Sequence, residues 1–454
     1  MSIASINPAT GETVATYPEM SPAEVDKILG AAAAAQRAWA KVSVAERAIP
    51  MRKVAALLKE RANDYARLMA IEMGKPLKDG VAEAQKCASG CEHYAEHAAA
   101  YLTPREVKTD ASRSYVRFDP LGVVLAVMPW NFPFWQVFRF IAPNLMAGNG
   151  GVLKHASNVP QCALAIETVI RDAGFPQDLF RTLLIGSKQV SALIEDPRIA
   201  AVTLTGSEPA GRSVAETAGR VLKPVVLELG GSDPFIVLED ADVKLAAETA
   251  AKARNINAGQ SCIAAKRFIV VEAVYEEFLK HFVPAMKKIR TGNPMDPATD
   301  IGPQARLDLR DELQRQVDSA ISQGAKCVLG GAVPDGVGAY YPPTVLTGVR
   351  RGNLAYSEEI FGPVAAVIRA KDSGDALAIA NDSRFGLGAS LWTSNPATAE
   401  RLAAQLEAGS VFVNGMVKSD PRLPFGGVKN SGVGRELGLE GIREFVNIKT
   451  VWIK

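Results

Sequence analysis

From Ser114 to Ser213 the chain switches repeatedly between two periods, and this alternation constrains the fold more than any other feature. SYVRFDP alternates apolar and polar residues, and LGVVLAVMP is a continuous apolar run, as strands are. Strand 121–128 is followed by a helix near 134–147, a strand at GVLK, a helix near 159–173 and a strand near 180–185. A helix near 188–195, a strand at AAVTLTG and a helix near 208–219 complete the series. Strands and helices joined by short connections imply a parallel sheet covered on both faces. A second series starts at PFIVLED and continues through RFIVVE, KCVLGG and PVAAVIRA, which predicts a second α/β domain.

Ahead of the first series, residues 21 to about 100 read as helices, opened by a capping box of Ser21 and Glu24 with Pro22 at the first helical position. The C-terminal EFVNIKTVWIK is β-rich and has no partner among its neighbours, so it pairs with a distant strand or with another subunit. With 51 Lys and Arg against 49 Asp and Glu, the chain has no electrostatic footprint for nucleic acid or an anionic membrane. No apolar window approaches the ~20 residues of a membrane span. Small-molecule partners and a cytoplasmic location are therefore expected.

Five scattered cysteines make a poor disulfide framework, so reduced thiols are expected. Cys87, Cys91, His93 and His97 form the one cluster with metal-ligand chemistry. At 100° per residue the cysteines share one helix face and the histidines another, so no metal site is expected.

The remaining candidates are catalytic. TGSEPAGRS follows a strand and opens a helix, where Gly206 and Gly211 allow a sharp turn and Gly206 and Ser207 offer amides to a diphosphate. The same stretch nearly fits the phosphate loop of nucleotide triphosphatases. Arg212 standing in place of the required Lys, and the lack of an acidic strand end for magnesium, weigh against that reading. KPVVLELGGSDP puts Glu228 at the end of an apolar strand, where it acts either as a general base with a raised pKa or as a capping or salt-bridging Glu. NINAGQSCIAAKRFIV sets Cys262 between a glycine-containing turn and an apolar strand, a nucleophile or a core cysteine on local grounds. VMPWNFPFW holds Asn131 between two prolines, a rigid seat for an oxyanion donor.

PWNFP, TGS with a following Gly, LELGG, GQSC, EEIFGPV and PFGGVKNSGVGRE occur in that order across most of the chain. Together they resemble the aldehyde dehydrogenase superfamily. The resemblance implies two doubly wound, Rossmann-like parallel-sheet domains plus a small β oligomerisation element. The expected division is a cofactor-binding domain over 1–108 and 124–231, a catalytic domain over 232–432, and the oligomerisation element over 109–123 and 433–454, in a homodimer or homotetramer.

The resemblance also implies Cys262 as nucleophile, Glu228 as general base, and Asn131 with the Cys262 amide as oxyanion hole. Thiolate attack on the aldehyde gives an alkoxide, loss of hydride leaves a thioester, and water activated by Glu228 releases the acid. Cofactor contacts are expected from Trp130, Lys154, Ser157, Gly206, Ser207, Gly211, Leu229, Glu359 and Phe361. Substrate contacts are expected from Phe132, Trp135, Arg139, Ser261, Ile263, Ser419, Arg422 and Phe425.

Arg139 matches the arginine of succinate semialdehyde dehydrogenases, suited to a distal carboxylate, with a surface salt bridge as the alternative. A second arginine that some of those enzymes carry is Ile256 here, and Arg254 or Arg422 is a candidate to replace it. KHA after a strand and SD-x-R before FGG are similar to a shorter bacterial group of these enzymes. Ser157 replaces the Glu with which NAD-preferring relatives repel a 2′-phosphate, so use of both NAD and NADP is expected. Glutarate semialdehyde, a medium-chain aldehyde and a non-catalytic descendant of the fold are the alternatives.

Overall fold

A computed structural model describes residues 2–454. The first alternating series forms a six-stranded sheet in the order Gly432–Val433, Val225–Glu228, Ile199–Thr205, Val123–Met128, Gly150–His155, Phe180–Thr182. Only the first pair is antiparallel. Three of the sequence candidates leave the carboxyl ends of its strands: Asn131 follows Met128, Lys154 lies near the end of its strand, and Glu228 ends its own opposite Thr205. Crevices outside these ends are where open α/β sheets bind ligands.

The second series forms a seven-stranded sheet in the order Lys326–Leu329, Thr344–Thr347, Val364–Ala370, Arg267–Val271, Pro234–Val237, Gly388–Trp392, Ser410–Val413. It is parallel except for the pairing of its first two strands.

Residues 22–101 fold as four helices, the first capped by the expected Ser21–Glu24 box. Helix Trp135–Ala147 packs between this layer and the sheet, and every one of its residues is buried. A charged residue on such a helix is costly unless paired, which bears directly on Arg139. Cys87 and Cys91 lie on the buried face of helix Leu77–Tyr101. Among the described residues no group of three or more His, Cys, Asp or Glu side chains is placed to hold a metal ion.

The C-terminal strand Val446–Ile453 pairs antiparallel with Arg113–Pro120 of the same chain along its whole length. This is the distant-strand alternative. Its other edge is open, since the sheet continues only on the far side through Arg105–Glu106. The helical opening omitted an element: Ser2–Ile6 and Thr13–Pro18 form a hairpin ahead of the first helix. Among the described residues no helix is long and apolar enough to cross a membrane.

Candidate active site

Two cavities meet at Cys262. One, of about 310 Å³, is lined by Phe132, Trp135, Arg139, Ser261, Ile263, Ser419 and Phe425 among others. The other, of about 270 Å³, is lined by Trp130, Asn131, Gly206, Ser207, Glu228, Leu229, Glu359 and Phe361. They share only Cys262 and Gln136. Gln136 was not among the sequence candidates, because a neutral residue on a buried helix gives no signal. Lys154 and Ser157 line a further cavity of about 810 Å³, beside the N-terminal hairpin.

The loop ahead of the nucleophile is strained. Asn257 and Ala258 take left-handed φ values of 54° and 55°, and Gly259 follows at 74°. A left-handed non-glycine residue costs about 1–2 kcal/mol, so the fold must impose this conformation. Asn257 Nδ2 donates to the Asn131 carbonyl (2.7 Å) and to Gln260 O (3.1 Å), and Arg254 Nη2 donates to Gly259 O (2.8 Å). The Ala305 amide donates to Gln260 Oε1 at 2.8 Å. A Cβ on Gly259 would sit 2.1 Å from the Gly362 carbonyl carbon, so only glycine fits. Beyond the nucleophile, Lys266 Nζ gathers the carbonyls of Ser261 (2.9 Å), Cys262 (2.8 Å) and Ala264 (3.2 Å). Sequence reasoning passed over Lys266, although a charge inside the apolar run IAAKRFIV was the available clue.

Burial pushes the Cys262 thiol up to about 12, against the pull of Arg139 and Lys266, so the resting group is a neutral thiol. Asn131 donates one amide proton to Gln260 O at 3.1 Å, which fixes its orientation and leaves the second proton free. Glu228 is 2 % exposed, and neither carboxyl oxygen has a hydrogen-bond partner. Burial holds it well above the usual carboxylate range, opposed by Arg139 and reinforced by Glu436. The capping or salt-bridging alternative for Glu228 is thereby removed. Glu359 differs: it accepts from the Gly231 amide (3.1 Å) and lies 3.3 Å from Lys266 Nζ.

The cofactor side fits a dinucleotide. Ser207 caps helix Glu208–Arg220 without using its side chain, leaving amides at the helix N-terminus for a diphosphate. The chain bends at Gly206 between strand Ile199–Thr205 and the helix, and neither Gly206 nor Gly211 needs a left-handed φ to allow it. Gly211 lines neither cavity at Cys262. A Cβ there would meet Leu229 at 2.6 Å, so its role is helix-to-strand packing.

The expected cations are redistributed. Arg139 lines the substrate-side cavity, but it is ion-paired with Glu436, stacks on Phe425 and donates to Thr205 Oγ1 at 3.3 Å. Its salt bridge is buried rather than superficial, as its all-buried helix requires. Arg254 is fully buried and bound to the carbonyls of Gly259 and Val364, so it supports the loop instead of lining the cavity. Arg422 points to solvent in a pair with Asp420 and lines neither cavity, because the short SDPR turn lets the two side chains close on each other.

The signature of the aldehyde dehydrogenase family spans residues 1–451. The chain is 54% identical over 453 residues to a probable succinate-semialdehyde dehydrogenase [NADP(+)] of Synechocystis sp., covering 100% of both. It is 53% identical to a succinate-semialdehyde dehydrogenase [NADP(+)] of Mycobacterium avium, covering 100% of this chain and 97% of that one. The solved structure of a succinic semialdehyde dehydrogenase from Streptococcus pyogenes, in complex with NADP+, superposes with a TM-score of 0.97 at 38% identity over 99% of each chain. A cysteine at the meeting point of two cavities, an unpartnered buried glutamate and a full-length family signature lead to one conclusion: the chain belongs to the aldehyde dehydrogenase family.

Proposed function

We propose that this protein oxidises succinate semialdehyde to succinate with NADP, and with NAD as a second cofactor. The observation that carries the reading is a cavity with aromatic and cationic side chains on its wall that opens on Cys262. The names of the relatives that match along their whole length support the same substrate and cofactor.

Cys262 loses its proton and attacks the aldehyde carbon, and the Asn131 amide with the Cys262 N–H stabilises the resulting oxyanion. Trp130, Leu229, Glu359 and Phe361 would hold a nicotinamide cofactor, which would supply the hydride acceptor, with Lys154 and Ser157 toward its adenosine end. Glu228, unpartnered and with a raised pKa, takes a proton from the water that opens the thioester. Its isolation from hydrogen-bond donors keeps it basic enough for that step.

The five cysteines, all unpaired, support a cytoplasmic setting. The open edge of Val446–Ile453, with Ile448, Trp452 and Ile453 exposed, supports a homodimer or homotetramer, which sedimentation analysis would distinguish from a monomer.

The test is a comparison of kcat/KM for succinate semialdehyde, glutarate semialdehyde and butanal with each cofactor. Preference for succinate semialdehyde by at least about tenfold, equivalent to 1.4 kcal/mol, is expected. Equal turnover of butanal would refute the substrate assignment.

A further inference from the structure

Lys266 immediately precedes strand Arg267–Val271 and is only 3 % exposed. Its Nζ donates to the carbonyls of Ser261, Cys262 and Ala264 and lies 3.3 Å from Glu359 Oε1. A neutral amine would aim its lone pair at one of these oxygens, so the surroundings select the ammonium. Burial works the other way and lowers Lys266 from the ordinary lysine range, and Glu359 is the strongest influence opposing it. The charge on Lys266 therefore leans on Glu359.

A second buried cation joins the same arrangement. Arg254 holds the Gly259 carbonyl, and Glu359 is again the acid that acts on it most. Asp233, the other acid acting on both cations, is itself buried. Burial pushes its carboxyl up to about 7, so it is only a partial counter-charge at neutral pH. Cys262 lies ahead of strand Arg267–Val271 and Glu359 ahead of its parallel neighbour Val364–Ala370, and Lys266 reaches both.

We propose that Lys266 is a positioning residue that ties the nucleophile loop to Glu359, so that Cys262 and the nicotinamide end of the cofactor are registered against one shared ion pair. This inference rests on the place proposed above for the cofactor beside Glu359. The need for such a tie follows from the chemistry. Hydride must pass from the carbon held on Cys262 to the nicotinamide ring, and about 1 Å of misplacement costs on the order of 10²-fold in rate. Two loops from neighbouring strands meet that tolerance when a single charge grips both.

Lys266→Gln keeps N–H donors for the carbonyls and removes the charge. It should lower kcat about 10- to 10²-fold and raise the Kd for NADP about tenfold, as loss of a charge-assisted contact requires. A role confined to the shape of the loop would lower kcat and leave the Kd unchanged, which overturns the tie. Binding is read by quenching of tryptophan fluorescence, in a cycle with Glu359→Gln. In the Glu359→Gln background, Lys266→Gln should alter the Kd less than about twofold, and additive effects overturn the coupling. A Glu359→Gln enzyme with wild-type affinity for NADP instead overturns the place of the cofactor beside Glu359.

A further measurement needs neither cofactor nor a change at a fully buried residue. In cofactor-free Glu359→Gln, hydrogen exchange of the amides over 261–264 should accelerate about tenfold, because Lys266 has lost its counter-ion. Protection equal to that of the wild type overturns the tie between Glu359 and the nucleophile loop.

Discussion

The two cavities that meet at Cys262 are built from different materials. The cofactor side is made by the fold: loops at the ends of parallel strands, a helix N-terminus and glycines that leave room. The substrate side is made by side chains: aromatic rings from PWNFPFW, a lysine from a packed helix and the loop that carries Ser419 and Phe425. A backbone-built site changes little when residues are exchanged, whereas a side-chain-built site is re-specified by one or two. Generic chemistry thus resides in the first and choice of aldehyde in the second.

The largest test of this contrast lies at the junction. Cys262→Ala should lower kcat at least about 10⁴-fold on every aldehyde, and residual turnover near wild type would remove the thioester route. Next, Glu228→Gln should give one burst of reduced cofactor followed by turnover about 10²–10³-fold slower, monitored at 340 nm (the reduced nicotinamide band). A burst-free trace at the normal rate would place the base elsewhere.

A third test uses the thiol itself. With the Cys262 thiol near 12, alkylation of the cofactor-free enzyme by iodoacetamide should accelerate about tenfold per pH unit from 7 to 9. A plateau in that range would reveal a thiol already ionised at neutral pH. The smallest expected effect belongs to the cofactor side, where Ser157→Glu should raise the KM for NADP roughly tenfold and leave NAD less affected. An equal rise for both cofactors would mean that Ser157 does not lie near the 2′-phosphate.

The contrast also explains what could be read from the sequence. PWNFP, LELGG and GQSC announce themselves because prolines and glycines are demanded by backbone geometry, and Asn131, Glu228 and Cys262 do line one cavity. The alternating periods gave away both large sheets. The terminal hairpin escaped notice because Ser2–Ile6 and Thr13–Pro18 are only five and six residues long. On the substrate side, charge alone misled. Arg254 and Arg422 were counted as candidates for the tunnel, but pairing and packing direct one into the loop scaffold and the other to solvent. Lys86 was not singled out, although Glu83, Lys86, Cys87 and Gly90 follow the 3–4 spacing of a helix face that packs inward.

The left-handed turn at Asn257, Ala258 and Gly259 has a consequence for how the enzyme is born. Ala258 in its middle disfavours this conformation, and groups that help hold it come from Asn131, Ala305 and Gly362, far along the chain. The nucleophile loop can therefore take shape only once both sheets have docked. A nascent or half-folded chain carries Cys262 as an ordinary cysteine. On refolding, helix and strand signals should return before dehydrogenase activity does, which makes reactivity the last property the chain acquires.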